Sequence, residues 1–211
     1  MSAAPTPLRQ FLAGLCTGMV LATPAVADCL TSADLATGIR AKADDGLFED
    51  FRRSGANLID LSIDFGDGLV ARDRMAHGIY ILSGADYQDG RRDEYSWVTV
   101  NFPVPIAEMP TPEENSLWEV TLTAKDSLGP FEERHTYQWG AATTVVYGDC
   151  SYIAIPGAIR TDIDDGYWTM EEVQYLPQLG LSLQLAFSDL DDPQGYSRSY
   201  LSLERLEVAR K

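Results

Sequence analysis

Three stretches of this chain alternate apolar and polar residues one for one. Ile59, Leu61, Ile63 and Phe65 interleave with Asp60, Ser62 and Asp64, and Trp118, Val120 and Leu122 with Glu119, Thr121 and Thr123. Leu181, Leu183, Leu185 and Phe187 likewise interleave with Ser182, Gln184 and Ser188. Side chains of a strand point to opposite faces in turn, so this period marks strands with one buried side. No 3.6-residue period is sustained. A short helical turn is expected over residues 31–36, with Thr31 or Ser32 as its cap. The alternation restricts the chain to all-β architectures.

Four Asp-Gly pairs punctuate the strands: Asp45-Gly46, Asp67-Gly68, Asp89-Gly90 and Asp165-Gly166. That dipeptide tolerates the positive backbone angles of tight hairpins. The first three recur every 22 residues, and Trp97, Trp118 and Trp139 every 21, which fits a meander with two strands and two turns per interval. The expected fold is an antiparallel meander of about ten to twelve strands, built as a curved sheet or half-barrel or as two packed layers.

Two features interrupt the meander. Pro103, Pro105, Pro110 and Pro112 exclude central strand pairing across residues 102–115, leaving a surface crossover, a lid or partner-binding loop, or a linker. The second is an apparent repeat. Asp28-Cys29, Ile39-Arg40 and Asp44-Asp45-Gly46 recur in order as Asp149-Cys150, Ile159-Arg160 and Asp164-Asp165-Gly166. Downstream, Leu61-x-Ile63-x-Phe65 matches Leu183-x-Leu185-x-Phe187. Residues 28–85 and 149–211 are either duplicated β units around a middle segment 86–148 or similar hairpins written in one turn vocabulary. Both alternatives leave residues 28–211 as a single all-β domain.

The start of the chain reads as an address. Residues 11–22 are mostly apolar, follow Arg9 and precede Ala25-Val26-Ala27, an A-x-A cleavage site. The run falls short of the roughly 20 residues that span a bilayer. Residues 1–27 are therefore read as a signal peptide cleaved near Ala27, with a periplasmic or secreted product. Cleavage removes Cys16 and leaves Cys29 and Cys150, which are expected to pair in an oxidising compartment.

Charge narrows the function classes. Asp and Glu number 32 against 16 Lys and Arg, for a formal net charge of -16. Nucleic-acid binding needs clustered cations, so it is excluded, and an anionic membrane surface is disfavoured for the same reason. The two histidines, His77 and His135, form no H-E-x-x-H, so no metal site is expected. Both are read as packed or hydrogen-bonded structural residues. No G-x-S-x-G elbow and no phosphate-cradling loop occur, and no cofactor is expected. Gly166 and Glu172 stand at EF-hand spacing, but Thr161 and Ile163 occupy ligand positions there, so the motif fails. The doublets Asp44-Asp45, Glu113-Glu114, Glu132-Glu133 and Glu171-Glu172 are read as solvated faces, because neighbours on a strand point apart.

The segment Tyr175-Leu176-Pro177-Gln178-Leu179-Gly180-Leu181 resembles a Tyr-x-Pro-x-Leu-Gly element of secreted proteobacterial β-rich proteins of unknown function. Those proteins are similar to the lipoprotein-carrier (LolA-like) half-barrel superfamily. The resemblance covers about 45 residues and implies a concave apolar face able to hold acyl chains. Trp97, Trp118, Tyr137, Trp139 and Trp168 are the candidates for lining such a face, although buried aromatics also fill ordinary cores. The expected function is non-enzymatic binding in the cell envelope, of an apolar small molecule or an envelope protein. The rivals are a periplasmic hydrolase using carboxylates such as Glu132 and Glu172, and a purely structural or assembly module.

Overall fold

The computed structural model describes residues 28–163 and 166–207. The leader read over residues 1–27, Cys16 and the Asp164-Asp165 step lie outside them. The strands are β1 (Ile39–Ala43), β2 (Phe48–Gly55), β3 (Leu58–Gly66), β4 (Leu69–Ala76), β5 (Tyr80–Gln88), β6 (Arg91–Arg92), β7 (Val98–Asn101) and β8 (Leu117–Lys125). There follow β9 (Pro130–Trp139), β10 (Thr143–Tyr147), β11 (Cys150–Ile163), β12 (Trp168–Leu176), β13 (Leu181–Asp189), β14 (Tyr196–Ser197) and β15 (Tyr200–Arg205). They form one open antiparallel sheet in the order β14-β13-β12-β11-β9-β8-β7-β5-β4-β3-β2-β1-β15. The sheet has 15 strands rather than ten to twelve, and β6 and β14 are only two residues long. Off the main path, β6 pairs β5 and β10 pairs the first half of β11, whose second half pairs β9.

The turns form as their residues dictate. Asp67 and Gly68 (φ 50° and 80°) join β3 to β4, and Asp89 and Gly90 (φ 51° and 78°) join β5 to β6. Both residues of each pair thus take the positive angles that the tightest hairpins require. The turn expected near residue 31 is a 3-10 helix, Ser32–Ala36, capped by Thr31 in a capping box with Asp34. Cys29 and Cys150 form a disulfide with a Cα–Cα distance of 5.5 Å, tying this turn to the start of β11.

The sheet curls until its arms face each other. One core joins Ile39, Phe51 and Ile59 of β1–β3 to Leu176, Leu181 and Leu183 of β12 and β13. A second joins Tyr80 of β5 to Tyr137, Trp139 and Tyr175 of β9 and β12. Where the arms meet, Ser182 donates from both its amide (3.0 Å) and its hydroxyl (2.7 Å) to the Gly78 carbonyl. A side chain at Gly78 would strike the backbone of Gly180 and Leu181, so this contact needs glycine. The last two strands tie both edges, since β14 pairs β13 and β15 pairs β1.

The Pro-rich segment is an ordered crossover between the neighbouring strands β7 and β8. It contains a 3-10 turn (Ile106–Glu108) and buries Met109. The Tyr80 hydroxyl donates to the Pro110 carbonyl (2.7 Å), and His77 Nε2 bonds the Ile106 carbonyl (2.8 Å). The downstream residues matched in the apparent repeat, Leu61, Ile63 and Phe65 with Leu183, Leu185 and Phe187, lie on β3 and β13, each the third strand of its segment. The segments differ upstream, where Ser32–Ala36 is a 3-10 turn and Cys150–Ile163 one unbroken strand.

Candidate ligand cavity

Six strands each send an i, i+2 pair into a cavity of about 110 Å³ between the arms: Leu61 and Ile63, Asp73 and Met75, His135 and Tyr137, Ile159 and Thr161, Glu171 and Val173, Ser182 and Gln184. Ile79, Ile81 and Glu49 complete the wall. The alternation that makes each strand amphipathic also delivers its residues to one shared space. Most of the exposed surface of that wall is apolar, yet it carries three carboxyls.

The three are unequally supported. Glu49 accepts from the Tyr200 hydroxyl (2.7 Å) and from Arg198 Nη1 (3.2 Å). Burial still raises its pKa, against the lowering effect of those two partners. Glu171 accepts from Gln184 Nε2 (2.7 Å), and burial raises it as well. Asp73 has no hydrogen bond or ion pair among the described residues. Burial pushes it up to about 6, helped by the negative charges of Asp86, Glu171 and Glu49. Arg198 has a side chain only 5% exposed and is the cation on Glu49. Its Nε makes no hydrogen bond, although Asp45 Oδ2 lies 3.4 Å away.

A short polar relay enters from β9. His135 Nε2 lies 2.7 Å from Glu133 Oε2, and its Nδ1 lies 3.0 Å from the Tyr137 hydroxyl. This network assigns the imidazole proton to Nε2, with Nδ1 accepting from Tyr137. Burial lifts the Tyr137 hydroxyl well above its ordinary pKa, so it stays a donor.

Of the five aromatics singled out in the sequence, Tyr137 lines the cavity. Trp118 stacks on Tyr137 (centroids 5.4 Å apart) and on Phe102 (5.9 Å), with Tyr80 meeting it edge-on at 5.0 Å. Trp139 is buried against Tyr175, Trp97 is half-buried just before β7, and Trp168 lies under the Arg160 guanidinium at 5.3 Å. Glu132 and Glu172 are exposed on the far faces of their strands, so the acids that turn inward are their neighbours Glu133 and Glu171. Glu49 and Asp73 were not among the sequence candidates. A signal for all three cavity acids exists: Glu49, Asp73 and Glu171 each stand two residues before a buried apolar residue, Phe51, Met75 and Val173.

No family model matches the chain, and no curated protein does. Among solved structures it is similar to the hypothetical lipoprotein YmcC from Escherichia coli (K12), with 7% identity and a TM-score of 0.45 over 80% of this chain and 86% of that one. That overlap is too slight to transfer a function. The Tyr175 to Leu181 segment is a tight turn in which Leu176, Leu179 and Leu181 are fully buried and Gly180 takes a positive φ.

Proposed function

We propose that the protein is a secreted, non-catalytic binding protein of the cell envelope whose inner cavity holds a small organic cation with an apolar body. The leader read over residues 1–27 and the Cys29–Cys150 bond support a location outside the cytosol. The observation that carries the reading is Asp73. A carboxylate on a mostly apolar wall, without a partner and beside two further acids, leaves a deficit of positive charge that a bound ammonium offsets. A cavity of about 150 Å³ takes benzene, so this smaller one suits a ligand of about five heavy atoms. The aliphatic side chains meet the apolar body, and of the aromatics Tyr137 alone enters the reading.

Calorimetric titration at pH 7.5 with n-butylammonium, and with n-butanol as its neutral counterpart, tests this reading. Saturable binding of the amine alone, lost in Asp73→Asn, is expected. Equal behaviour of amine and alcohol, or of wild type and Asp73→Asn, contradicts it. A hydrolase is the second reading, favoured because Asp73 and Glu171 come from remote strands onto one wall, one of them with a pKa near neutrality. Turnover of a chromogenic ester that disappears in both Asp73→Asn and Glu171→Gln would select it. The small volume keeps binding ahead.

A further inference from the structure

The opposite face of β2–β5 carries a second concavity, of about 450 Å³, within the range of small-molecule sites. Strand register places its residues in rows. Arg52, Asp60, Arg74 and Ser83 lie side by side across β2, β3, β4 and β5, and Asp50, Ser62 and Arg72 form the next row. The acids in these rows are already neutralised. Asp50 takes two bonds from Arg40 (2.6 and 2.7 Å), and Asp60 pairs with Arg74 (2.9 Å). Two guanidiniums remain. Arg52 makes no hydrogen bond or ion pair among the described residues. Arg72 makes none either, and its guanidinium is held 4.5 Å from the centroid of the Tyr87 ring.

We propose that this concavity binds a small organic or inorganic polyanion, held between the Arg52 and Arg72 guanidiniums with the Ser62 and Ser83 hydroxyls as further donors. A guanidinium presents a planar fork of N–H groups that matches carboxylate and phosphate oxygens. Stacking on Tyr87 leaves the edge of Arg72 free to donate while fixing its plane. The net charge of -16 repels anions at long range. Screening confines that repulsion to about 8–10 Å at physiological salt, so the local pair decides whether an anion stays. Leu61 and Asp73 border both concavities, but the outer one differs from the inner in the sign of its available charge and in the ligand chemistry it suits.

Isothermal titration of the folded protein with citrate and, separately, with inorganic pyrophosphate, at constant ionic strength set by chloride, tests the proposal and distinguishes a carboxylate from a phosphate source. Saturable binding of one or both is expected, weakened roughly tenfold or more by Arg52→Gln and again by Arg72→Gln. The exposed Lys125→Gln on β8 makes the same charge change outside the concavity and should leave affinity unchanged. Absence of saturable binding by either anion, or equal weakening in Lys125→Gln, overturns the proposal. Both target arginines are exposed, and unchanged circular dichroism would show that each variant remains folded.

Discussion

Along β4, Arg72, Asp73 and Arg74 are consecutive, yet the fold treats them oppositely. Asp73 turns into the cavity between the arms, where it finds no partner and is pushed up to about 6. Arg72 and Arg74 turn to the other face, where Arg74 pairs with Asp60 and Arg72 stacks on Tyr87. The same parity sorts β2, with Glu49 and Phe51 buried and Asp50 and Arg52 facing away. One sheet thus separates uncompensated negative charge from available positive charge by its own thickness. The difference between the faces is solvent. Water screens the outer charges, so their pairs contribute little, whereas the inner acids sit in a mostly apolar wall where each charge matters.

Removing the inner counter-charge should have the largest effect. Arg198→Leu leaves Glu49, itself only 2% exposed, without its cation. A broken buried pair costs about 3–5 kcal/mol, which urea denaturation at pH 7.5 would read directly.

Asp73→Asn should move stability the other way. The rise of the folded pKa from an ordinary 3.8 to about 6 corresponds to about 3 kcal/mol at most. Between those values the folded state binds the proton more tightly than the unfolded chain does, so stability falls as pH rises through this window and then levels off. Burial raises Glu49 and Glu171 too, which adds to the same trend. The variant should be more stable than wild type at pH 7.5 and close to it at pH 4, with a shallower profile between. Denaturation curves at the two pH values check this.

The smallest effect belongs to the outer face. Arg74→Ala removes a pair whose side chains are 54% and 45% exposed. The expected loss is about 0.2–1 kcal/mol, shrinking further in high salt. A loss there as large as that of Arg198→Leu would break the comparison between the faces.

Much of the scaffold was legible in the sequence. The alternation at residues 59–65, 118–123 and 181–187 marked β3, β8 and β13, and Asp67-Gly68 and Asp89-Gly90 marked the β3–β4 and β5–β6 turns. The cavity was harder to read, because parity shows which residues share a face but not which face closes over a cavity. Parity alone therefore does not separate Glu132 and Glu172, which face solvent, from their neighbours Glu133 and Glu171, which turn inward. Asp73 was hidden for a different reason. Between two arginines it reads as part of a solvated charge run, and only its spacing from Met75 betrays the inward parity. The curl of the sheet depends on contacts such as Ser182 with Gly78, 104 residues apart, which no local pattern announces.

The central claim is that the cavity holds an acid without a counter-charge. A pH titration of the side-chain carboxyl carbons by NMR, with Asp73 assigned through Asp73→Asn, tests it most directly. The account predicts a midpoint for Asp73 near 6, moving down when n-butylammonium is bound. A midpoint near 3.8, unmoved by the amine, would mean that Asp73 is solvated like any surface acid, and would contradict it.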